Sequence, residues 1–138
     1  MMQKIGDLAE VRKGKSLAED PKGEHFQVWA AAIAFDGYID RTMTKKVRIS
    51  EDDTDCVLLE NDLVLTVDGT LDKVAIVDRP GCVCGGTCVL IRPKLTEDGL
   101  RIFRYLRSSE GKKKMAGLKR GVTIPHINIS DIREIEIP

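Results

Sequence analysis

The chain has 138 residues, of which 42% are hydrophobic, so it is long enough to form one domain with its own buried core. It contains 22 basic and 22 acidic residues, and this balance excludes a broad, nonspecific attraction of its whole surface to nucleic acid. The sequence has no apolar run of the about 18 residues that a membrane span needs, and residues 1–15 lack the apolar stretch of a signal peptide. We therefore expect a cytoplasmic protein with reduced cysteines.

Most of the chain shows the short apolar, β-branched runs that are typical of strands, separated by turn signals such as Asp36-Gly37 and Asp68-Gly69. The continuous apolar run at residues 63–67 predicts a strand that is buried on both faces. The predicted strands cover residues 26–33, 46–49, 63–67, 74–77 and 87–91.

Towards the C-terminus the apolar spacing changes to that of a helix. Leu100, Phe103 and Leu106 recur at helical intervals, and Asp98 is an acid suited to the first turn. Gly111 is expected to end this helix, and residues 112–118 predict a second one. The predicted fold is a single α+β domain over residues 1–138, rich in β-strands and with a short helical hairpin near its C-terminus.

The basic charge is concentrated in residues 101–121, which hold eight basic residues and Glu110 as their one acid. This segment carries +7 and the rest of the chain −7. Segregated charge can steer a polyanion to one face, although a solvated helix surface explains any single lysine equally well. The candidate DNA contacts here are Lys112, Lys113, Lys114, Lys119 and Arg120.

Two further basic stretches lie in predicted loops. At Gly14-Lys15, preceded by Lys13, a glycine can let the backbone approach a phosphate while the lysines neutralise it. Residues 41–48 offer donors and acceptors that suit base edges in the major groove. An exposed turn and a charged surface hairpin are the respective alternatives. The candidates in the second stretch are Arg41, Thr42, Thr44, Lys45 and Lys46.

The turn at residues 68–70 joins two buried strands, and Thr70 and Lys73 could touch a phosphate there. A plain tight turn is the alternative.

Cys82, Cys84 and Cys88 form C-x-C-x3-C, for which Cys56, His25 or His126 could supply a fourth zinc ligand. The usual C-x2-C knuckles are absent, so small buried cysteines in strands are the favoured interpretation, and we expect neither metal nor cofactor.

Catalytic motifs are missing from the sequence. The acidic run at residues 51–55 is typical of a solvated loop, and acids such as Asp62 or Asp72 beside Lys73 are too common to predict a nuclease site. We therefore expect no enzymatic activity from this chain.

Three segments resemble, in order and spacing, the target-recognition domain of the specificity subunit in type I restriction–modification systems. Residues 4–17 hold a hydrophobic–Gly-Asp opening that leads to Gly-Lys. Residues 58–77 hold Asn-Asp, a hydrophobic run, a Gly turn and Val-Ala-Ile. Residues 121–138 hold an isoleucine-rich strand that ends in Ile-Pro.

The resemblance implies sequence-specific binding of double-stranded DNA that supplies target choice to an adenine methyltransferase complex. The implied partners are the modification methyltransferase subunit and a restriction subunit, and the chain itself is implied to be non-catalytic. In this family the loops between the first strands read bases, which favours the candidates in residues 41–46. The alternative is a protein-interaction module of the same fold that no longer reads DNA.

The chain differs from a complete specificity subunit of this family, which has two such domains separated by long helices. Residues 137–138 fall where a spacer helix would begin. Two interpretations stay open. The chain is a single-domain form that pairs with itself as a homodimer or with another subunit, or it is a fragment of a longer protein.

Overall fold

Short strands and helices alternate along the chain in the computed structural model, which describes all of residues 1–138. The α+β prediction is confirmed. None of the helices has the length and apolar character needed to cross a bilayer. The strands are β1 (Gln3–Lys4), β2 (Ala9–Lys13), β3 (His25–Val28), β4 (Lys45–Val47), β5 (Leu63–Thr66), β6 (Val74–Ile76), β7 (Cys82–Cys84), β8 (Cys88–Pro93) and β9 (Glu136–Ile137). The helices are α1 (Ile5–Leu8), α2 (Thr96–Arg107), α3 (Ser109–Leu118) and α4 (Ile129–Arg133), and 3-10 turns cover Ala30–Ala32, Arg41–Met43 and Glu51–Cys56.

The central layer is a four-stranded antiparallel sheet in the order β2-β8-β5-β6. Successive side chains of a strand point to opposite faces. Leu63 and Leu65 therefore join the core beneath the helices, while Val64 joins a second core on the other face. This burial on both faces explains the continuous apolar run at residues 63–67 and confirms its prediction.

The helices cover one face of this sheet and bury Ile102, Leu106 and Met115 against it. A mixed sheet in the order β4-β3-β7 covers the other face, with β3 parallel to β7 and antiparallel to β4. The small side chains of Cys82 and Cys84 pack into that second core. The domain is thus a three-layer stack of helices, a central sheet and a smaller sheet.

A small third sheet pairs the two ends of the chain, because β1 lies antiparallel to β9. Arg101 of α2 reinforces this corner. Its guanidinium donates to the carbonyl oxygen of Pro138 at 2.8 Å and to the Gln3 side chain at 3.0 Å.

An ion pair with a buried carboxylate and a partly exposed guanidinium lies between the central sheet and the turn that precedes β5. Arg92 donates to both carboxylate oxygens of Asp62, with Nη2–Oδ2 at 2.8 Å and Nε–Oδ1 at 3.0 Å, and to the carbonyl oxygen of Val57 at 3.1 Å. Asp62 is 2% exposed and also accepts from the backbone N–H of Leu59 at 2.8 Å. Such an arrangement is stable only because every partner is satisfied.

Two boundaries differ from the prediction. The strand predicted over residues 26–33 ends at Val28, and a 3-10 turn at Ala30–Ala32 follows. The helix does not end at Gly111, which lies inside α3. The break falls at Ser108, whose hydroxyl accepts from the backbone N–H of Gly111 at 3.0 Å and so caps the new helix. A Cβ on Gly111 would collide with the carbonyl oxygen of Tyr105, so the glycine permits close packing of the two helix ends.

The apolar pattern of α2 was also misassigned at one position. Leu100 is 39% exposed, and Ile102 is fully buried in its place. The buried flank also contains Gly99, because the helix lies close to Pro93 of β8 there.

Candidate nucleic-acid interface

A cleft of about 480 Å³ opens between α2, α3, the edge strand β6 and the segment after β3. Its wall carries the cations Lys73, Arg107 and Lys112, with Asp72 as the one carboxylate among the lining residues. We call this feature the cationic cleft. The apolar part of the lining consists of Ala31, Ile33, Ala34, Phe35 and Val74.

The loop over residues 33–39 forms one rim of the cationic cleft and is fixed at several points. Ile33 and Ile39 form a β-bridge at its base. Arg107 donates to the carbonyl oxygens of Phe35 at 2.7 Å and Asp36 at 3.3 Å, which ties the loop to α2. The Gly37 carbonyl oxygen accepts from Ile76 N–H at 2.8 Å, which ties it to the edge strand β6.

The surface continues from the cationic cleft to a lysine–aromatic pair. Lys73 Nζ donates to the carbonyl oxygen of Ala30 at 3.2 Å. Trp29 precedes Ala30 in the chain, and Lys45 Nζ lies over its ring at 4.9 Å from the centroid. The indole N–H of Trp29 donates to the Met43 carbonyl oxygen at 2.7 Å. Lys45 therefore extends the same cationic surface.

The candidate lysines of α3 project into solvent. Lys112, Lys113 and Lys114 are all exposed, and Lys119 follows them directly after the helix. None of these residues, nor Lys73, takes part in a salt bridge. Their charge is therefore available to an external polyanion.

The candidates Lys13 and Lys15 have carboxylate partners instead. Lys13 pairs with Asp68. Lys15 Nζ lies 3.1 Å from Asp55 Oδ1 and 3.8 Å from Asp53 Oδ1, and the hydrogen bond with Asp55 raises the pKa of Lys15. The backbone N–H of Ser50 donates to Asp53 and lowers the pKa of that carboxyl. We call Lys13, Lys15 and these acids the acid-paired loop.

Gly14, in the same loop, is buried and contacts protein. Its N–H donates to the Cys88 carbonyl oxygen at 2.9 Å, and a Cβ would collide with the carbonyl oxygens of Cys84 and Gly85. Gly14 therefore lets two backbone segments of the protein meet.

Several candidates in residues 41–46 make contacts within the domain. Arg41 stacks over the Phe26 ring at 4.8 Å and donates to the Pro80 carbonyl oxygen. Thr42 Oγ1 donates to Asp40 Oδ1 at 2.6 Å, and Thr44 Oγ1 donates to the Arg41 carbonyl oxygen at 2.6 Å. Lys46 is exposed on β4.

Thr70 and Arg120 lie on two turns that both meet the chain at residues 125–126. Thr70 is exposed beside Gly69, whose N–H donates to the Pro125 carbonyl oxygen at 2.8 Å. Arg120 pairs with Asp131 at 3.2 Å. The structure thus places Lys45, Lys73 and the α3 lysines in one region, while Lys13, Lys15, Arg41 and Arg120 make contacts within the domain.

Phe35 and Arg107 were not among the predicted site residues. Arg101, Arg104 and Arg107 are three of the eight basic residues in residues 101–121 and recur every three residues. Arg101 binds the paired chain ends and Arg107 binds the loop at residues 33–39. Asp36-Gly37 is a turn signal in the sequence, but no local pattern shows that this loop lies against α2.

The four cysteines are free and buried. Burial raises the pKa of Cys88 to about 11 and that of Cys84 well above its ordinary value. No group of three or more His, Cys, Asp or Glu side chains is placed so that it could hold a metal ion. His25 and His126 therefore do not complete a ligand set with Cys82, Cys84 and Cys88.

The three-layer fold and the ordered motifs of the sequence are those of a specificity domain from a restriction–modification system. The family model for the type I restriction modification DNA specificity domain matches residues 1–138 of the sequence, and the chain belongs to this family. The family resemblance seen in the sequence is thereby confirmed.

Solved structures with this fold include the S subunit of a type I restriction–modification system from M. genitalium, at 22% identity and a TM-score of 0.66 over 99% of this chain. The HsdS subunit from Thermoanaerobacter tengcongensis matches 100% of the chain at 14% identity and a TM-score of 0.66. A structure concerned with complex assembly and conformational transition of the type I R-M system matches 99% at 16% identity and a TM-score of 0.70. This chain covers 33%, 32% and 33% of those three chains, respectively. No curated protein matches it significantly in sequence.

Proposed function

We propose that the domain binds double-stranded DNA across the cationic cleft and the exposed lysines of α3, and that loop side chains around the cleft read the bases. The observation that carries this proposal is the continuity of unpaired cations from Lys45 through Lys73 to Lys112. Phosphate contacts by lysine fix the register of a protein on the duplex, and contacts to base edges then select the sequence.

The carboxylate pairs divide the candidate contacts into two groups. Lys73, Lys112, Lys113 and Lys114 can bind phosphate without breaking a pair. Lys13 and Lys15 of the acid-paired loop must first leave their carboxylates, and Arg120 must leave Asp131. We therefore infer that the first group supplies most of the electrostatic attraction and the second group contributes less.

The partners follow from the same proposal. The domain acts with a modification methyltransferase subunit and a restriction subunit, or pairs with a second copy of itself, in the cytoplasm where the DNA lies. A second candidate function is a protein-interaction module of the same fold that no longer reads DNA. The neutral net charge and the acid-paired loop are the two observations in its favour.

A selection from a random duplex pool tests the proposal, with the chain and its methyltransferase subunit combined. Enrichment of one sequence motif is the expected result. The affinity for that motif should fall steeply with salt, with a log–log slope of about −0.9 for each phosphate contact. A pool that stays random, or an affinity that does not respond to salt, contradicts DNA reading and favours the interaction module.

A further inference from the structure

We propose that Phe35 is a wedge that enters the base stack of the bound duplex and unstacks one step of the target. This inference rests on the proposed function, because it requires DNA to lie on the cationic cleft. A single side chain, that of Phe35, would then distort the duplex.

The first observation is the exposure of Phe35, whose side chain is 101% accessible to solvent. The chain has three Phe, two Tyr and one Trp. Trp29 and Tyr38 are also exposed, at 38% and 47%, so three of these residues lie on one surface stretch of ten positions. Half of the aromatic side chains of this chain are therefore exposed within one short segment, where a partner could stack on them.

The second observation is that the backbone beneath the ring is held firmly. Besides the two hydrogen bonds from Arg107, the loop is closed by Ala34 N–H donating to the Tyr38 carbonyl oxygen at 3.0 Å. Gly37 has φ of +86° and rests on the Phe103 ring, where a Cβ would collide. A mobile loop would fold an exposed ring back onto the surface. This loop instead presents Phe35 outward at low entropic cost to binding.

The third observation is the charge around the ring. Phe35 shares the cationic cleft with Lys73, Arg107 and Lys112, against the single carboxylate of Asp72. Asp36, which follows Phe35 in the chain, is a second nearby carboxylate, and it accepts the Tyr38 N–H at 3.0 Å. An apolar tip among cations fits a polyanion with an apolar interior, which describes a DNA duplex.

Insertion of an apolar side chain between base pairs has a known physical consequence. It partially unstacks one step and kinks the duplex by about 20–90°. The cost of unstacking depends on the sequence of that step, so a wedge selects sequence without a hydrogen bond to a base edge. Phe35 would therefore contribute to target choice through the deformability of the DNA.

The test uses the intact chain with its methyltransferase subunit and duplexes that carry 2-aminopurine at successive positions of the selected motif. We expect the wild type to raise the 2-aminopurine fluorescence at one step other than the adenine that the methyltransferase itself extrudes from the stack. In Phe35→Ala the signal should return to that of the free duplex and the target affinity should fall roughly tenfold, since a base–aromatic stack is lost. The affinity for a non-target duplex should stay unchanged, because the phosphate contacts remain.

Phe35→Trp should restore the signal, because a larger ring can still stack. Val122→Ala is the matched control, since Val122 is equally exposed at 101% but lies on the separate loop after α3, and it should behave as the wild type. If Phe35→Ala keeps the fluorescence signal, whether or not its affinity falls, insertion of Phe35 is overturned while the proposed function stands. If the wild type prefers no duplex, the proposed function fails and the wedge fails with it.

Discussion

The acid-paired loop and helix α3 are both lysine-rich in sequence, yet the structure gives their charges different availability. Lys13 and Lys15 lie beside Asp68, Asp53 and Asp55, which offset their charge locally. Lys112 and its neighbours on α3 have no such partner. A lysine adds to the attraction of a polyanion only to the extent that no carboxylate already neutralises it. Counting basic residues along a sequence therefore overestimates a DNA-binding surface wherever acids fold back onto it.

The largest expected effect comes from reversing the charge of α3 in the triple variant Lys112→Glu, Lys113→Glu, Lys114→Glu. Each phosphate contact contributes about 0.9 to the slope of log affinity against log salt. Losing three contacts therefore weakens binding roughly five-hundredfold at 0.1 M salt, if the affinities are equal at about 1 M. The salt slope should become shallower by about three. Fluorescence anisotropy over a salt series measures both quantities.

The double variant Lys13→Ala, Lys15→Ala is the control for this effect in the acid-paired loop. It should change the affinity by less than about threefold, since exposed ion pairs contribute little and these lysines have acidic partners. Equal losses in the two variants would contradict the division between the loop and α3.

The second expected effect concerns stability and contrasts a buried ion pair with an exposed one. Arg92→Ala leaves the carboxylate of Asp62 buried without its charge partner, which costs about 3–5 kcal/mol of unfolding free energy. Urea denaturation followed by circular dichroism measures this loss. The folded fraction should keep its DNA affinity, because Arg92 lies outside the cationic cleft.

Arg12→Ala is the matched variant, because Arg12 lies on the neighbouring strand β2 and pairs with Glu10 at 2.6 Å in solvent. Its removal should cost at most about 1 kcal/mol. A similar loss in both variants would show that burial of Asp62 does not set the energy of its pair with Arg92.

The third expected effect is local and tests the rim of the cationic cleft. Arg107→Ala removes the two exposed hydrogen bonds to the carbonyl oxygens of Phe35 and Asp36, which together stabilise the closed loop by about 1–2 kcal/mol. Hydrogen exchange of the Gly37 and Tyr38 amides should accelerate by roughly tenfold or more, since the loop opens more readily. The global unfolding free energy should fall by no more than about 1–2 kcal/mol, because the rest of the domain keeps its packing when the loop opens.

Arg104→Ala provides the comparison, because Arg104 is exposed on the same helix and makes no hydrogen bond through its side chain to this loop. It should leave the loop amides as protected as in the wild type. Faster exchange in Arg104→Ala would mean that the helix charge, and not the two hydrogen bonds, holds the loop.

The smallest expected effect is a pKa within the acid-paired loop. The Asp53 carboxyl should titrate below its ordinary value of 3.8, because the Ser50 backbone N–H and hydroxyl donate to its charged form. Its contribution to stability is therefore complete above pH 3.8 and is lost as the pH falls through the lower folded-state pKa. Carboxyl-carbon NMR titration measures this.

Ser50→Ala keeps the backbone donor and removes the hydroxyl, so the pKa of Asp53 should rise part of the way towards 3.8. A wild-type titration at or above 3.8 would contradict the hydrogen bonds described for this turn.

Local patterns predicted much of the fold. The strand at residues 63–67 and the amphipathic segment that became α2 were visible because burial leaves a periodic signature. The helix break was missed because the capping role of Ser108 competes with the helix-breaking tendency of Gly111, and tertiary packing decided between them. The strand predicted to continue past Val28 ends because the chain turns there to form the rim of the cationic cleft.

The candidate site was harder to predict, because its contacts join distant parts of the sequence. Lys13 meets Asp68 and Arg107 meets Phe35 across separations of 55 and 72 residues. Neither pairing leaves a local pattern, so the sequence could nominate cations but could not separate the neutralised ones from the available ones. The cysteines are the buried small side chains that the sequence favoured, and Cys82, Cys84 and Cys88 lie in strands β7 and β8.

The close meeting of Gly14 with Gly85 also bears on how new specificities could be engineered. At this joint two backbone segments touch with no space for a Cβ, so a randomised library that varied it would consist mainly of unfolded members. The loop at residues 33–39 and the turn at residues 68–73 can instead be diversified while both glycines are held constant. Such a library would change what the domain reads without changing how it is built.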